Sequence, residues 1–166
     1  MMKIFKNAIL AVVAVLGMQT ANAQAKTAHV DVNDITTKMP AMIEARKQLE
    51  KITENYSKEY KTLVEEYQAK GKKYEAEAAS VSDAVNQTRQ QEMQDMGKRI
   101  SDFQENAQAD IQKKEGDLMK PLVEKIKASI AKVGKAKGYQ YVLDVSSLLL
   151  ADGPDITVDV KKDLGF

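Results

Sequence analysis

Residues 49–81 read LEKITENYSKEYKTLVEEYQAKGKKYEAEAASV, and this stretch decides the fold. Its apolar and aromatic residues recur three or four positions apart, from Leu49 and Ile52 to Val81. That spacing predicts an amphipathic helix with one narrow apolar stripe between charged faces. The steps follow an eleven-residue repeat more closely than a heptad, which predicts a nearly straight stripe instead of a tight left-handed supercoil.

A second stripe of the same kind occupies residues 93–133. Both segments are rich in Ala, Glu, Lys and Gln, which favour helix because they lose little rotamer freedom in it. The segment between the stripes is the most cap-like part of the region, and Ser82 or Asp83 can N-cap a second helix. We therefore predict a helical hairpin arm over residues 39–136 with its tip near residues 80–84.

A reversal at this tip brings the two stripes together as a seam. The predicted seam residues are Leu49, Ile52, Tyr56, Tyr60, Leu63, Tyr67, Tyr74, Met93, Met96, Ile100, Phe103, Ile111 and Leu118. The tyrosines could alternatively form a ladder that grips a bound chain, and the two methionines could offer adaptable contacts near the tip. Pro121 is predicted to interrupt the second helix and to bend it between Asp117 and Pro121, because it lacks an N–H and clashes with the preceding turn. We expect this bend to be a tolerated kink rather than a functional hinge.

The segments that flank the arm alternate apolar and polar residues, which predicts strands in residues 28–33 and 139–146. A further short strand is predicted at residues 148–151, and Thr157 is expected to cap a final helix. Residues 24–38 and 137–166 would thus form a small β body. Such a body is too small to bury a sufficient core alone, so we expect it to pair with copies of itself rather than to dock on the arm as a monomer. The predicted oligomer residues are Val30, Val32, Tyr141, Val142, Leu143, Val145 and Leu149.

The first 23 residues, MMKIFKNAILAVVAVLGMQTANA, have the three parts of a secretory signal peptide. A basic start precedes an apolar run of nine residues, and a small-x-small site ends at Ala23 before Gln24. The alternative is a transmembrane anchor, but the run is far shorter than the ~20 residues that a spanning helix needs. We predict export with cleavage near Ala23-Gln24, and no integral membrane segment after cleavage.

The amino-acid composition argues against most enzymatic and metal-dependent functions. The 166 residues include no Cys and a single His, which excludes disulfide scaffolds, thiolate zinc sites, thiol nucleophiles and His-based metal clusters. Cleavage would remove two of the 25 basic residues and leave 24 acidic ones, so no basic field would remain to attract nucleic acid. No nucleotide-binding glycine pattern is present either. We predict no enzymatic activity and no catalytic residue, cofactor, metal or nucleic-acid partner.

The order and spacing of these features resemble the Skp/OmpH family of periplasmic chaperones over essentially the whole mature chain. The matching features include Val30-Asp31-Val32, Leu118-x-x-Pro121-Leu122, Lys137-Gly138-Tyr139-x-Tyr141-Val142-Leu143-Asp144 and Asp155-Ile156-Thr157-x-x-Val160. The resemblance implies a mainly α protein with a small β body. Three copies would form a jellyfish-like homotrimer, in which coiled-coil tentacles project from a β-sheet trimerisation body around a central cavity.

The resemblance also implies a function, namely binding of unfolded outer-membrane proteins in that cavity, without ATP, to prevent their aggregation in the periplasm. A structural or adaptor coiled coil of the cell envelope, which binds a folded partner, suits the same pattern. A cytosolic prefoldin-like chaperone also hangs helical hairpins from a β body, but the leader argues against it. A chaperone of this family would bind unfolded chains, whereas an adaptor would bind one folded partner only. A binding experiment therefore discriminates these two classes.

Overall fold

The computed structural model describes residues 26–166, so the predicted leader and its cleavage site lie outside the described residues. The described chain is mostly helical and carries one small two-stranded sheet. Its elements are β1 (Thr27–Val30), α1 (Val32–Lys38), α2 (Pro40–Glu77), a 3₁₀ turn (Ala78–Ser80), α3 (Asp83–Ala136), β2 (Tyr141–Asp144), a second 3₁₀ turn (Val145–Ser147) and α4 (Thr157–Leu164).

These elements fall into two compact units. The first unit contains the described residues up to Ile35 together with Lys127–Phe166, and the second contains Thr36–Ile126. We refer to the first as the body and to the second as the hairpin. Both unit boundaries fall inside helices, so the domain boundaries that we placed at the helix ends stay predictions.

The hairpin contains all of α2, most of α3 and the 3₁₀ turn between them. Helix α2 has 38 residues, which corresponds to about 57 Å at a rise of 1.5 Å per residue. The chain reverses at Ala78–Ser80, and Ser82 then caps α3 by accepting a hydrogen bond from the Val85 amide at 3.4 Å. Ser82 is therefore the cap of the second helix.

Helix α3 continues through Pro121, so the predicted interruption of the helix is wrong, while the predicted bend between Asp117 and Pro121 stays a prediction. A proline inside a helix removes one backbone hydrogen bond and costs roughly 3 kcal/mol. The 54-residue helix has long hydrogen-bonded segments on both sides of the proline, and these outweigh a single local loss.

The body is built around two parallel strands. Thr27 of β1 pairs with Tyr141 of β2, and the register continues to Val30 opposite Asp144. On its other side β1 forms a bridge between His29 and Asp155. Ile35, Ile156 and Val160 have at most 1% of their surface exposed, and with Val30 they form the core around these strands.

Two predicted strand assignments are wrong. Val32 is the first residue of α1 and not part of β1, because Asp31 accepts a hydrogen bond from the Asp34 amide at 2.7 Å and caps that helix. Residues 148–151, including Leu149, form no strand. The Asp144 carboxylate accepts from the Ser146 amide at 3.2 Å, and the resulting turn ends strand pairing before Leu148.

The predicted cap at Thr157 is also corrected, because Thr157 is the first residue of α4 and Ile156 precedes it as the cap position. The Thr157 hydroxyl accepts from the Asp31 amide at 2.9 Å and donates to the Asp155 carboxylate at 2.5 Å. Thr157 therefore ties the start of α4 to the end of β1.

The end of α3 is fixed by a Schellman motif. Gly138 has a φ of 76°, the Tyr139 amide donates to the Gly134 carbonyl at 2.9 Å, and the Gly138 amide donates to Lys135 at 3.0 Å. Gly134 itself is buried, and a Cβ at this position would lie 2.8 Å from Cγ2 of Val142 in β2. Helix α3 and β2 thus approach too closely for any residue but glycine.

We expect Gly134→Ala to lower the free energy of unfolding by about 1–2 kcal/mol, because the clash with the stiff Val142 side chain outweighs the helix propensity that alanine gains. Gly116→Ala in the same helix is the matched control, since a Cβ there meets nothing within 4 Å. It should raise stability by up to about 1 kcal/mol. Urea unfolding followed by circular dichroism measures both, and equal effects at the two glycines would contradict the close approach.

Candidate functional site

The seam of the hairpin is narrow and incompletely covered. The Tyr56 and Phe103 rings meet edge to face, with centroids 5.9 Å apart and planes inclined by 62°. Nearer the tip, Tyr67 packs beside Gly97 and Met93 packs beside Gly71. Contacts of this kind hold two helices together without enclosing an interior.

The thirteen predicted seam residues differ in exposure. Met96 is buried and Tyr60 is 37% exposed. The others are half-buried, namely Leu49, Ile52, Tyr56, Leu63, Tyr67, Tyr74, Met93, Ile100, Phe103, Ile111 and Leu118. A seam that is mostly half-buried leaves apolar surface available along the hairpin, and the role of each residue stays a prediction.

Between the two helices lies a groove of about 380 Å³, which we call the neutral groove. Its lining contains aromatic, aliphatic, hydroxyl and amide side chains, namely Thr53, Tyr56, Ser57, Tyr60, Phe103, Gln104, Ala107, Gln108, Ile111 and Gln112. None of the ten is charged, although 30% of the whole chain is charged. A second pocket that also includes Tyr56 contains Glu59 and Lys114, so the absence of charge is specific to the neutral groove.

The floor of the neutral groove is held by a hydrogen bond. The Tyr56 hydroxyl donates to the Asp110 carboxylate at 2.8 Å, and this bond raises the pKa of Tyr56 because it favours the protonated phenol. The Tyr56 ring is thereby fixed between the two helices against Phe103. The aromatic floor is therefore positioned by the fold and does not depend on a ligand.

A polar cluster closes the hairpin near its tip. Arg89 pairs with Glu77 at 2.5 Å and stacks on the Tyr74 ring, with its guanidinium carbon 4.5 Å from the ring centroid. The Tyr74 hydroxyl and the Lys70 ammonium both donate to the Glu92 carboxylate. Every one of these contacts joins α2 to α3, so the cluster acts as a clamp on the hairpin.

The hydrogen bonds from Lys70 and then Tyr74 lower the pKa of Glu92 below its ordinary value. Because the folded-state pKa is depressed, the stabilising contribution of Glu92 is present above the unfolded pKa of about 4.3 and is lost as the pH falls through the folded value. We expect Glu92→Gln to flatten the decline of hairpin stability from about pH 5 to about pH 2. Denaturation experiments at a series of pH values measure this decline in the free energy of unfolding.

Tyr74→Phe removes one of the two donors to Glu92 and should give an intermediate slope. Glu50→Gln is the control, because the Glu50 side chain makes no hydrogen bond or ion pair within the described residues. A decline as steep in Glu92→Gln as in wild type would contradict the assignment.

Exposed apolar residues concentrate in the body. Tyr141 and Leu143 of β2 are 59% and 41% exposed, and Leu149 and Leu150 in the following loop are almost wholly exposed. Of the other residues predicted for the oligomer interface, Val30 is buried, while Val32, Val142 and Val145 are half-buried. We call Tyr141, Leu143, Leu149 and Leu150 the apolar face.

The outer edge of β2 has no strand partner within residues 26–166, because β1 pairs with its other edge. An exposed edge strand with apolar side chains is a template for pairing with another chain. Val142 alternates with these residues and points toward Gly134 of the same protomer. The structure thus separates Leu143, which is available to a partner, from Val142, which packs inside the protomer.

Several core residues had no counterpart among the sequence-based site residues. Ile35, Met39, Met42 and Ala45 are all at most 5% exposed, and they belong to α1, to α2 and to the residue between them. The capping pattern Asp31-x-x-Asp34 was the signal that a helix starts at Val32, and this signal could have revealed Ile35 as a core position.

The described residues hold no group of three or more His, Asp or Glu side chains that could bind a metal ion. Within residues 26–166, no helix combines the length and apolar character that a membrane crossing requires.

Comparison with known proteins identifies the family. Residues 26–164 match the OmpH-like outer membrane protein family. This match covers most of the chain. The protein belongs to this OmpH-like family, as the sequence resemblance predicted. No match was found among curated proteins.

The fold is also found in a solved structure. It is similar to the crystal structure of an OmpH-like protein from Caulobacter crescentus CB15, whose proposed role is that of an outer membrane chaperone. The TM-score is 0.76 over 87% of this chain and 86% of that one, at 14% sequence identity. The shared architecture at such low identity confirms the mainly helical fold with a small sheet.

Proposed function

We propose that this protein is an ATP-independent periplasmic holdase, which binds unfolded outer-membrane proteins between the hairpins of a homotrimer and prevents their aggregation. The observation that carries the proposal is the pairing of a mostly half-buried hairpin seam with an exposed apolar face on the body, in a member of the OmpH-like family. One surface suits assembly and the other suits weak, distributed binding.

The apolar face supports assembly. Burying apolar surface contributes about 25 cal/mol per Å², and a fully exposed leucine loses about 1.5–3 kcal/mol of that stabilisation. Leu149 and Leu150 therefore gain no burial energy within the protomer, and they would gain it if another chain covered them. In a closed cyclic oligomer, each copy would use the free edge of β2 to contact its neighbour. The apolar face of every copy would then be covered.

The hairpin supports binding of unfolded chains. Several shallow contacts hold a flexible client through effective concentration, because a segment that leaves one contact stays close to the others. Three hairpins that enclose a cavity would supply such contacts without nucleotide. The predicted leader supports a periplasmic location for this activity, where unfolded outer-membrane proteins are in transit.

The test uses the purified mature protein and a urea-unfolded outer-membrane β-barrel protein diluted into buffer. Light scattering follows aggregation, and chromatography with light-scattering detection gives the mass with and without the β-barrel protein. We expect suppressed aggregation and a discrete complex of one client with three copies of the chain. A stable oligomer that leaves aggregation unchanged would overturn the proposal in favour of an adaptor that binds a folded partner.

A further inference from the structure

We propose that the neutral groove of each hairpin binds an extended, uncharged segment of the client, with apolar side chains at alternate positions. The inference rests on the proposed function and assigns the part of the client that the hairpin recognises. Its basis is the geometry of the groove, which combines an apolar floor with a regular row of amide side chains.

The floor and the rim of the groove differ in chemistry. Phe103 and Ile111 are half-buried and Ala107 is 8% exposed, so they present apolar surface at the bottom. The rim carries exposed side chains with neutral hydrogen-bonding groups, namely Thr53, Ser57, Gln104, Gln108 and Gln112. Such a groove accepts apolar side chains below and peptide groups above, whereas it offers no counter-charge to an ionised residue.

The three glutamines form a row along α3, four residues apart. Their spacing along the helix axis is about 6 Å per step. Alternate residues of an extended chain are about 6.4–6.8 Å apart. The row therefore stays nearly in phase with a strand over its whole length, and each amide can both donate to and accept from successive peptide groups.

The glutamine amides are available for this contact. No side-chain hydrogen bond within the described residues engages Gln104, Gln108 or Gln112. By contrast, Gln48 and Gln91 elsewhere on the hairpin each donate to a carboxylate four residues away. The groove thus presents three amides that are unpaired within the described residues, whereas Gln48 and Gln91 are paired within the hairpin.

The occupant follows from the charge. The other pockets of the hairpin contain charged side chains, so a charged segment finds better partners outside the neutral groove. A segment that alternates apolar with neutral polar residues fits the floor and the rim together. Strands of transmembrane β-barrels alternate in this way, with about ten residues per strand.

The experiment compares binding of an unfolded outer-membrane β-barrel protein to wild type and to the double variant Gln104→Glu/Gln108→Glu. Glutamate has nearly the shape of glutamine, so the change adds charge to the rim with little effect on packing. We expect at least a tenfold loss of affinity, equivalent to about 1.4 kcal/mol. The control Asn55→Asp adds a charge at the pocket that contains Glu59 and Lys114, and should change affinity less than twofold.

A second measurement locates the bound chain. The sequence has no cysteine, so a single cysteine can be introduced as Gln112→Cys or as Asn55→Cys. A thiol-reactive, environment-sensitive fluorophore then labels each chain at that one position. The β-barrel protein should alter emission at position 112 and not at position 55. The response at position 112 should persist when salt rises from about 0.1 M to about 1 M, which shortens the Debye length from about 10 Å to about 3 Å.

The outcomes separate the inference from the proposed function. Wild type that binds the β-barrel protein while the double variant binds within twofold of it would overturn the groove assignment and leave the holdase intact. Equal emission changes at positions 55 and 112 would do the same. Wild type that binds no unfolded β-barrel protein would overturn both.

Discussion

Ile35→Ala is expected to lower the free energy of unfolding by about 2–5 kcal/mol, the range for deleting a buried aliphatic side chain. Ile35 has no exposed surface and lies in α1, whose start is fixed by the Asp31 cap. The body has few core residues of this size, so the loss of one removes a large fraction of its buried apolar volume. Urea unfolding followed by circular dichroism measures the change.

Ile43→Ala is the matched control, because it makes the same chemical change at a helical isoleucine that is 38% exposed. It should cost about 1 kcal/mol or less. Both variants are compared with wild type at one protomer concentration, since assembly would make the unfolding midpoint concentration-dependent. Equal losses at the two positions would show that Ile35 does not anchor the body.

The hairpin could be predicted from the sequence because its signal is long and local. Steps of three and four residues persist along both helices, and the Ser82 cap separates them. Gly138 was recognisable as the end of α3 for a similar reason, because a positive φ after a helix favours glycine. A sequence signal that lies within a few residues of the feature it specifies can be interpreted without knowledge of tertiary contacts.

The errors arose where two local signals competed. The alternation around Val32 favoured a strand, whereas the Asp31 cap favoured a helix, and the hydrogen bond from the Asp34 amide decided between them. At residues 148–151 the apolar run suggested a strand, but the turn at Asp144 redirected the chain first. Short segments contain too few residues for periodicity to prevail over one capping interaction.

The neutral groove could not be predicted because it needs the register of two distant helices. The spacing of Gln104, Gln108 and Gln112 is visible in the sequence, but it acquires meaning only when Tyr56 and Phe103 place these residues beside Thr53 and Ser57. Likewise, the sequence placed Val142 and Leu143 together in the oligomer interface. The contact of Val142 with Gly134 separates their roles.

Leu143→Asp is expected to convert the proposed trimer to monomers and to abolish suppression of aggregation. Leu143 lies on the apolar face, so a buried interface there would hold three uncompensated carboxylates, each costing several kcal/mol. Loss of the trimer also removes the linked contacts of the three hairpins, which would weaken client binding by about 10²–10⁴-fold. Sedimentation velocity and the light-scattering assay measure the two effects.

Val158→Asp is the control for Leu143→Asp, because it introduces the same charge at a 61% exposed valine of the body. Val158 lies in the first turn of α4, where an acidic side chain interacts favourably with the helix dipole. Circular dichroism should show that both variants retain the wild-type helix content. A trimer that persists in Leu143→Asp would remove β2 from the interface, whereas monomers that still suppress aggregation would show that one hairpin binds its client without the enclosure.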